Sequence, residues 1–175
     1  YPNHGVGVIE EVKNRSIGEI ENSFYCLRII STDSTVMVPV DNTRAVGLRK
    51  VLTRREVTRV LKVLREGEVT TYDDWKGRFQ ANSDKMRTGS IYDVADVLKS
   101  LTLLSRSKSL SFREKRMLDR AKFLIVSEIS EVMRETAESI EGRVEKALER
   151  SFTTRTRAIA RAKAAKATPA VRPQA

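Results

Sequence analysis

Trp75 is the sole tryptophan of the 175-residue chain, with Tyr72 before it and Lys76, Arg78 and Phe79 after it. An aromatic ring among cations can divide labour on a nucleic acid. The ring stacks on a base or wedges at an unstacked step while the cations hold the phosphates. The ordinary alternative is structural, because Trp75 and Phe79 are four apart and would form one buried stripe on a helix. A second set of cations comprises Lys99, Arg106, Lys108, Arg113, Lys115, Arg116, Arg120 and Lys122, against only Glu114 and Asp119 within 99–122. Facing one way, they make a phosphate-binding patch; otherwise they are a solvated helix surface. Residues 123–150 swing acidic, with 4 basic and 7 acidic side chains.

Other chemistries lack their residues. The single cysteine, Cys26, rules out an internal disulfide and a cysteine-cluster zinc site. Its alternating apolar surroundings suggest a buried, inert thiol in a strand. The single histidine, His4, cannot build a histidine-rich metal site and has no Ser or Cys nucleophile beside it. Neither a G-x-x-x-x-G-K-[ST] nor a G-x-G-x-x-G stretch is present. Asp73 and Asp74 suit helix N-terminal charges better than a catalytic pair. No enzyme, metal or cofactor is expected. The longest apolar run, Phe123-Leu124-Ile125-Val126, is far below the ~20 residues of a membrane span.

Charge is unevenly spread. With 33 Lys+Arg and 23 Asp+Glu the net charge is +10. Residues 1–50 are neutral, residues 51–150 carry a surplus of 4, and residues 151–175 hold 6 basic and no acidic side chains. A basic intracellular binding protein follows, with nucleic acid as the first candidate partner.

The elements that must position these residues divide at about Leu52. Before it, Gly7–Val12, Phe24–Ile30 and Thr35–Val40 are rich in β-branched and aromatic residues. The stretch 14–21 with Gly18, and Thr32-Asp33-Ser34, read as connections. Pro39 cannot donate a ladder hydrogen bond, so its strand lies at an edge or ends there. Short strands with close turns point to a small barrel or strongly bent antiparallel sheet. After Leu52 the period becomes helical. Thr53-Arg54-Arg55-Glu56 is a capping box before Val57, Val60, Leu61 and Leu64, with Gly67 as the stop. A second helix is expected from about Tyr72 to Thr88, ended by Gly89. Ser90 opens a third, carrying Ile91, Val94, Ala95, Leu98, Leu101 and Leu104. Ser111-Phe112-Arg113-Glu114 caps a fourth, and a fifth follows Thr136 with Ile140, Val144 and Leu148. Beyond about Phe152 the chain is poor in bulky residues and is expected to be disordered or a nascent helix.

The order of these signatures resembles one family. Tyr1–Ile9 looks like its opening strand, and Thr35–Val40 with Val46-Gly47-Leu48-Arg49 like the approach to its first helix. Trp75 with Arg78, Phe79 and Lys85 is similar to its tryptophan helix. Leu110-Ser111-Phe112 followed by Glu114-Lys115-Arg116-Met117-Leu118 resembles its fourth-helix signature. The chain is thereby identified as a member of the CarD/CdnL family of bacterial RNA-polymerase-binding transcription regulators, over about residues 1–150. The strand that usually precedes Tyr1 in the family lies outside this sequence, as expected of a chain trimmed at its N-terminus.

The resemblance implies an α+β protein: residues 1–52 a Tudor-like domain that binds RNA polymerase, 53–151 a five-helix DNA-binding domain, and 152–175 a disordered basic tail. The Tudor-like domain would dock on the polymerase β subunit by strand addition, with Arg15, Leu27, Met37 and Pro39 at the contact positions. The helical domain would reach promoter DNA at the upstream edge of the melted bubble. There Trp75 would enter the minor groove and stabilise the open complex, with Lys76, Arg78, Lys85, Lys115 and Arg116 around it. Gly77 and Gln80 stand where the family often has basic residues. The function so implied is a non-enzymatic, monomeric transcription regulator of the bacterial cytoplasm, associated with the nucleoid through polymerase. The competing reading is an architectural, nucleoid-associated DNA-binding protein acting without polymerase.

Overall fold

The computed structural model describes residues 1–2, 4–17, 20–66 and 74–167. Three strands come first: β1 (Gly7–Ile17), β2 (Ile20–Ile29) and β3 (Ser34–Pro39). A 3₁₀ turn at Val40–Asn42 follows. Then come α1 (Arg54–Glu66), α2 (Trp75–Arg87), α3 (Ile91–Ser105), α4 (Phe112–Met133) and α5 (Ala137–Ala167). The fold is α+β. The sheet is antiparallel in the order β1-β2-β3 and open, the bent-sheet rather than the barrel form of the expectation.

The hairpin is longer than its apolar pattern suggests. The stretch from Asn14 was expected to connect strands, yet Asn14 pairs with Ser23 and Arg15 with Asn22. Polar cross-strand partners extend this ladder, including a 2.8 Å bond from Ser23 Oγ to Asn14 Oδ1. Hydrophobic alternation cannot detect such a segment. Gly18 lies outside the described residues. The second connection turns as expected, with Asp33 in the left-handed region at φ 51°. Cys26 is buried in β2.

Helix starts follow their sequence signals. Thr53 Oγ1 accepts from Glu56 N at 3.3 Å while Glu56 Oε2 accepts from Thr53 N at 2.7 Å. Ser111 and Glu114 form the same reciprocal box, and Ser90 caps α3. The second helix starts at Trp75 with Asp74 as its cap; Gly67 and Tyr72 lie outside the described residues. One helical core runs from Leu52 to Leu148, in which Val57, Val60, Leu98, Leu101, Ile125, Ile129 and Ile140 are fully buried. α3 is its axis, packed against α1, α2, α4 and α5. α5 carries regular structure up to Ala167, into the stretch expected to be disordered or a nascent helix. Residues 157–167 are mostly Ala, Arg and Lys, strong helix formers. Growing from a packed helix, they need no new nucleus. Residues 168–175 lie outside the description.

Sheet and helices are joined at one polar point. Arg49 donates from both terminal nitrogens to the two oxygens of Glu128 on α4, at 2.7 and 2.8 Å. Arg49 Nε donates to Gly89 O at 2.7 Å. Glu128 is buried and also accepts from Leu52 N at 3.0 Å. Beside this clamp, Gly47 and Gly89 both have positive φ and stand backbone to backbone. A Cβ on Gly89 would lie 2.8 Å from Gly47 O, so only glycine allows the approach. Arg49→Ala would leave the buried carboxylate with one amide donor. We expect a loss of about 2–3 kcal/mol in urea unfolding, below the deepest buried pairs because Arg49 is partly exposed. Arg49→Lys recovers only part of it, since an ammonium cannot reproduce the two-point contact.

Candidate nucleic-acid interface

The first turn of α2 is built by its cap. Asp74 Oδ1 accepts from Lys76 N at 2.6 Å and Gly77 N at 2.9 Å, two of the donors that a helix start leaves open. This explains Gly77, where a basic residue was expected by resemblance: a Cβ there would lie 2.7 Å from Asp74 Oδ2. Gln80, the other departure, donates to Asp84 Oδ1 at 3.0 Å one turn on. Trp75 is the first residue of α2; its side chain is outside the described set. Lys76 is exposed.

Arg78 does not stand free for a phosphate. Its side chain is 16% exposed, and Nε and Nη2 both donate to Glu114 Oε1, at 2.9 and 2.8 Å. Glu114 Oε2 accepts from Ser111 N at 3.0 Å and Ser111 Oγ at 2.8 Å. One carboxylate therefore closes the α4 cap and ties it to the first turn of α2. Burial opposes ionisation of Glu114, but the Ser111 donors and the Arg78 guanidinium outweigh it and hold the carboxyl below its ordinary range. Arg78 is a positioning residue that brings the Trp75 turn beside the start of α4.

On that start, Lys115, Arg116 and Arg113 are exposed. Phe112 is 73% exposed, with the Arg116 guanidinium 5.8 Å from its ring centroid. In the sequence Phe112 figures in the α4 cap and in the fourth-helix signature, not among the candidate contact residues. The available signal was its register: five residues before Met117, it falls off the apolar face of α4. The exposed cations Lys76 on α2 and Arg113, Lys115 and Arg116 on α4 thus lie on the two first turns that the Arg78–Glu114 bridge links. Lys85 lies apart from them, at the last turn of α2, ion-paired with Asp96 of α3.

The wider cation set of 99–122 does not face one way. Lys99 is fully buried and donates to Val63 O at 3.0 Å, one of the carbonyls left open at the end of α1. Burial lowers its pKa, against the opposing pull of Asp96. Arg106 pairs with Glu149 of α5 and lies 4.4 Å over the Phe152 ring. Lys122 pairs with Glu141 and Glu145. These three hold helices together.

The residues expected at a polymerase surface separate as well. Arg15 is exposed near the end of β1, and Met37 and Pro39 lie on β3. Leu27 is 3% exposed, near the end of β2, with both strand edges taken by β1 and β3.

The start of the chain, residues 1–52, matches the CarD-like/TRCF RID domain, and residues 59–145 match the CarD C-terminal domain. The chain is 31% identical over 129 residues to the putative transcription factor YdeB of Bacillus subtilis (strain 168), covering 74% of this chain and 84% of that one. The chain belongs to the CarD-like family. It is a transcription regulator by that kinship. No helix among the described residues is long and apolar enough to cross a membrane.

If Glu114 ties α2 to α4, its removal should loosen both. We expect Glu114→Ala to cost about 2–3 kcal/mol in urea unfolding. Glu114→Gln should cost less, because glutamine can also complete a capping box. A carboxyl held low in the folded state contributes stability above the ordinary carboxylate range and loses it as pH falls through the folded value. Acidification should therefore cost the native chain more stability than Glu114→Gln, measured by urea midpoints across the acid range.

Proposed function

We propose that this CarD-like protein is a non-enzymatic regulator that binds the RNA polymerase β subunit through its sheet. At the same time it binds promoter DNA at the upstream edge of the bubble through α2 and α4, and so stabilises the open complex. The observation that carries the DNA half is the Arg78–Glu114 bridge. It brings the Trp75 turn next to exposed Phe112, Lys115 and Arg116, so a candidate wedge adjoins cations able to hold the flanking phosphates. In this reading Lys76, Lys115 and Arg116 touch phosphate, while Arg78 and Lys85 position α2.

For the polymerase half, β3 offers an edge for strand addition, with Met37 and Pro39 along it and Arg15 on the neighbouring hairpin. Leu27 supports that edge from within the sheet. The neutral charge of residues 1–50 suits a protein surface better than a phosphate backbone. The protein acts as a monomer in the bacterial cytoplasm and needs no cofactor.

Open-complex lifetime on a fluorescent promoter with purified polymerase is the direct test. The native chain should lengthen it, and Trp75→Ala should remove at least about fivefold of the gain, the equivalent of ~1 kcal/mol of aromatic contact. An unchanged lifetime with native chain overturns the reading; full activity of Trp75→Ala overturns the wedge. Met37→Asp should abolish capture of the isolated β lobe while leaving duplex binding intact.

A further inference from the structure

α5 has three faces. Ile140, Val144, Ala147, Leu148 and Ser151 are buried. Glu141, Glu145 and Glu149 recur every four residues on a second face and are bound by Lys122 and Arg106. At 100° per residue, Arg143, Lys146, Arg150 and Arg157 fall within about 60° of one another, on a third face roughly 21 Å long. The acidic face is thus neutralised within the fold, whereas of the basic face only Arg143 is paired among the described residues.

The basic face opens onto α1. A groove between α1 and α5 is lined by Arg65, Lys146, Arg150, Arg155 and Arg157, with Glu66 and Glu149 as its acidic members. It continues along α1 past Lys62, sharing Arg65, Lys146 and Arg150. Glu66 is engaged by Arg65 and Lys62, Glu149 by Arg106, and Arg143 pairs with Glu135. Lys146, Arg150, Arg155 and Arg157 are exposed and have no carboxylate within 4 Å among the described residues.

We propose that this groove is a second nucleic-acid site, gripping the phosphate backbone of duplex DNA independently of the α2–α4 interface. A row of unmatched cations suits a ligand whose negative charges recur at short, even intervals. Among the described residues the lining offers no bulky apolar anchor beyond Leu61, whereas protein interfaces and membrane-surface helices require one. The contact reads backbone rather than bases, so it adds affinity without sequence preference.

The test is anisotropy of a labelled duplex of arbitrary sequence, with the full chain and no polymerase, over a range of KCl. Replacing Lys146, Arg150, Arg155 and Arg157 together by Gln should weaken binding at least tenfold. The slope of log affinity against log salt should flatten by about 3–4, near 0.9 for each phosphate left without its cation. Lys115→Gln with Arg116→Gln should lower the slope separately, and the two sets should add. The pair Arg155→Gln and Arg157→Gln, beyond the packed part of α5, should give about half the effect and guards against misfolding of the fourfold variant. An unchanged slope in both variants overturns the proposal. So does unaltered duplex binding with weakened capture of polymerase, which would make the groove a protein-docking surface. Because polymerase is absent from the duplex assay, its result is separate from the open-complex lifetime that tests Trp75.

Discussion

A carboxylate buried in a helical core must be paid for with donors, and Glu128 draws them from outside the helices. The guanidinium of Arg49 and the amide of Leu52 come from the segment that leaves the sheet, and the same guanidinium reaches the carbonyl of Gly89 at the α2–α3 turn. Without these donors the charge has no compensation. The segment leading into the first helix and the α2–α3 turn are therefore tied to α4 through one buried carboxylate. The placement of Trp75 and Phe112 depends on that arrangement in turn, through α2 and α4.

Much of this was legible in local sequence. The capping boxes at Thr53 and Ser111, the cap at Ser90 and the faces carrying Val60, Leu98, Ile125 and Ile140 are short-range signals, and each element forms where its signal lies. What escaped is of longer range or lower contrast. Arg49 and Glu128 are 79 residues apart, and nothing near either names the other. The polar end of the hairpin carries no alternation to read. The reach of α5 past Phe152 rests on helix growth from an existing end, where composition left disorder and a nascent helix both open.

Charge was the most misleading signal in aggregate and the most informative in place. The cluster at 99–122 looked like one patch, yet Lys99, Arg106 and Lys122 are consumed by the fold. Arg78, matched by resemblance to a phosphate contact, also braces α2 against α4. The acidic swing of 123–150 has a structural meaning too: Glu141, Glu145 and Glu149 receive those inward cations. The outward cations around Phe112 and those along α5 lie on separate surfaces rather than in a single basic face.

The contact of Gly47 with Gly89 has a consequence for how such a protein changes over time. Where side chains line a joint, each exchange of residue shifts its geometry a little. Here two glycine backbones meet beside the Pro2 ring, and neither glycine has room for a side chain of any size. The offset between sheet and helices behaves as a fixed gauge. Either half can acquire a new surface chemistry without altering the spacing at which a partner meets both.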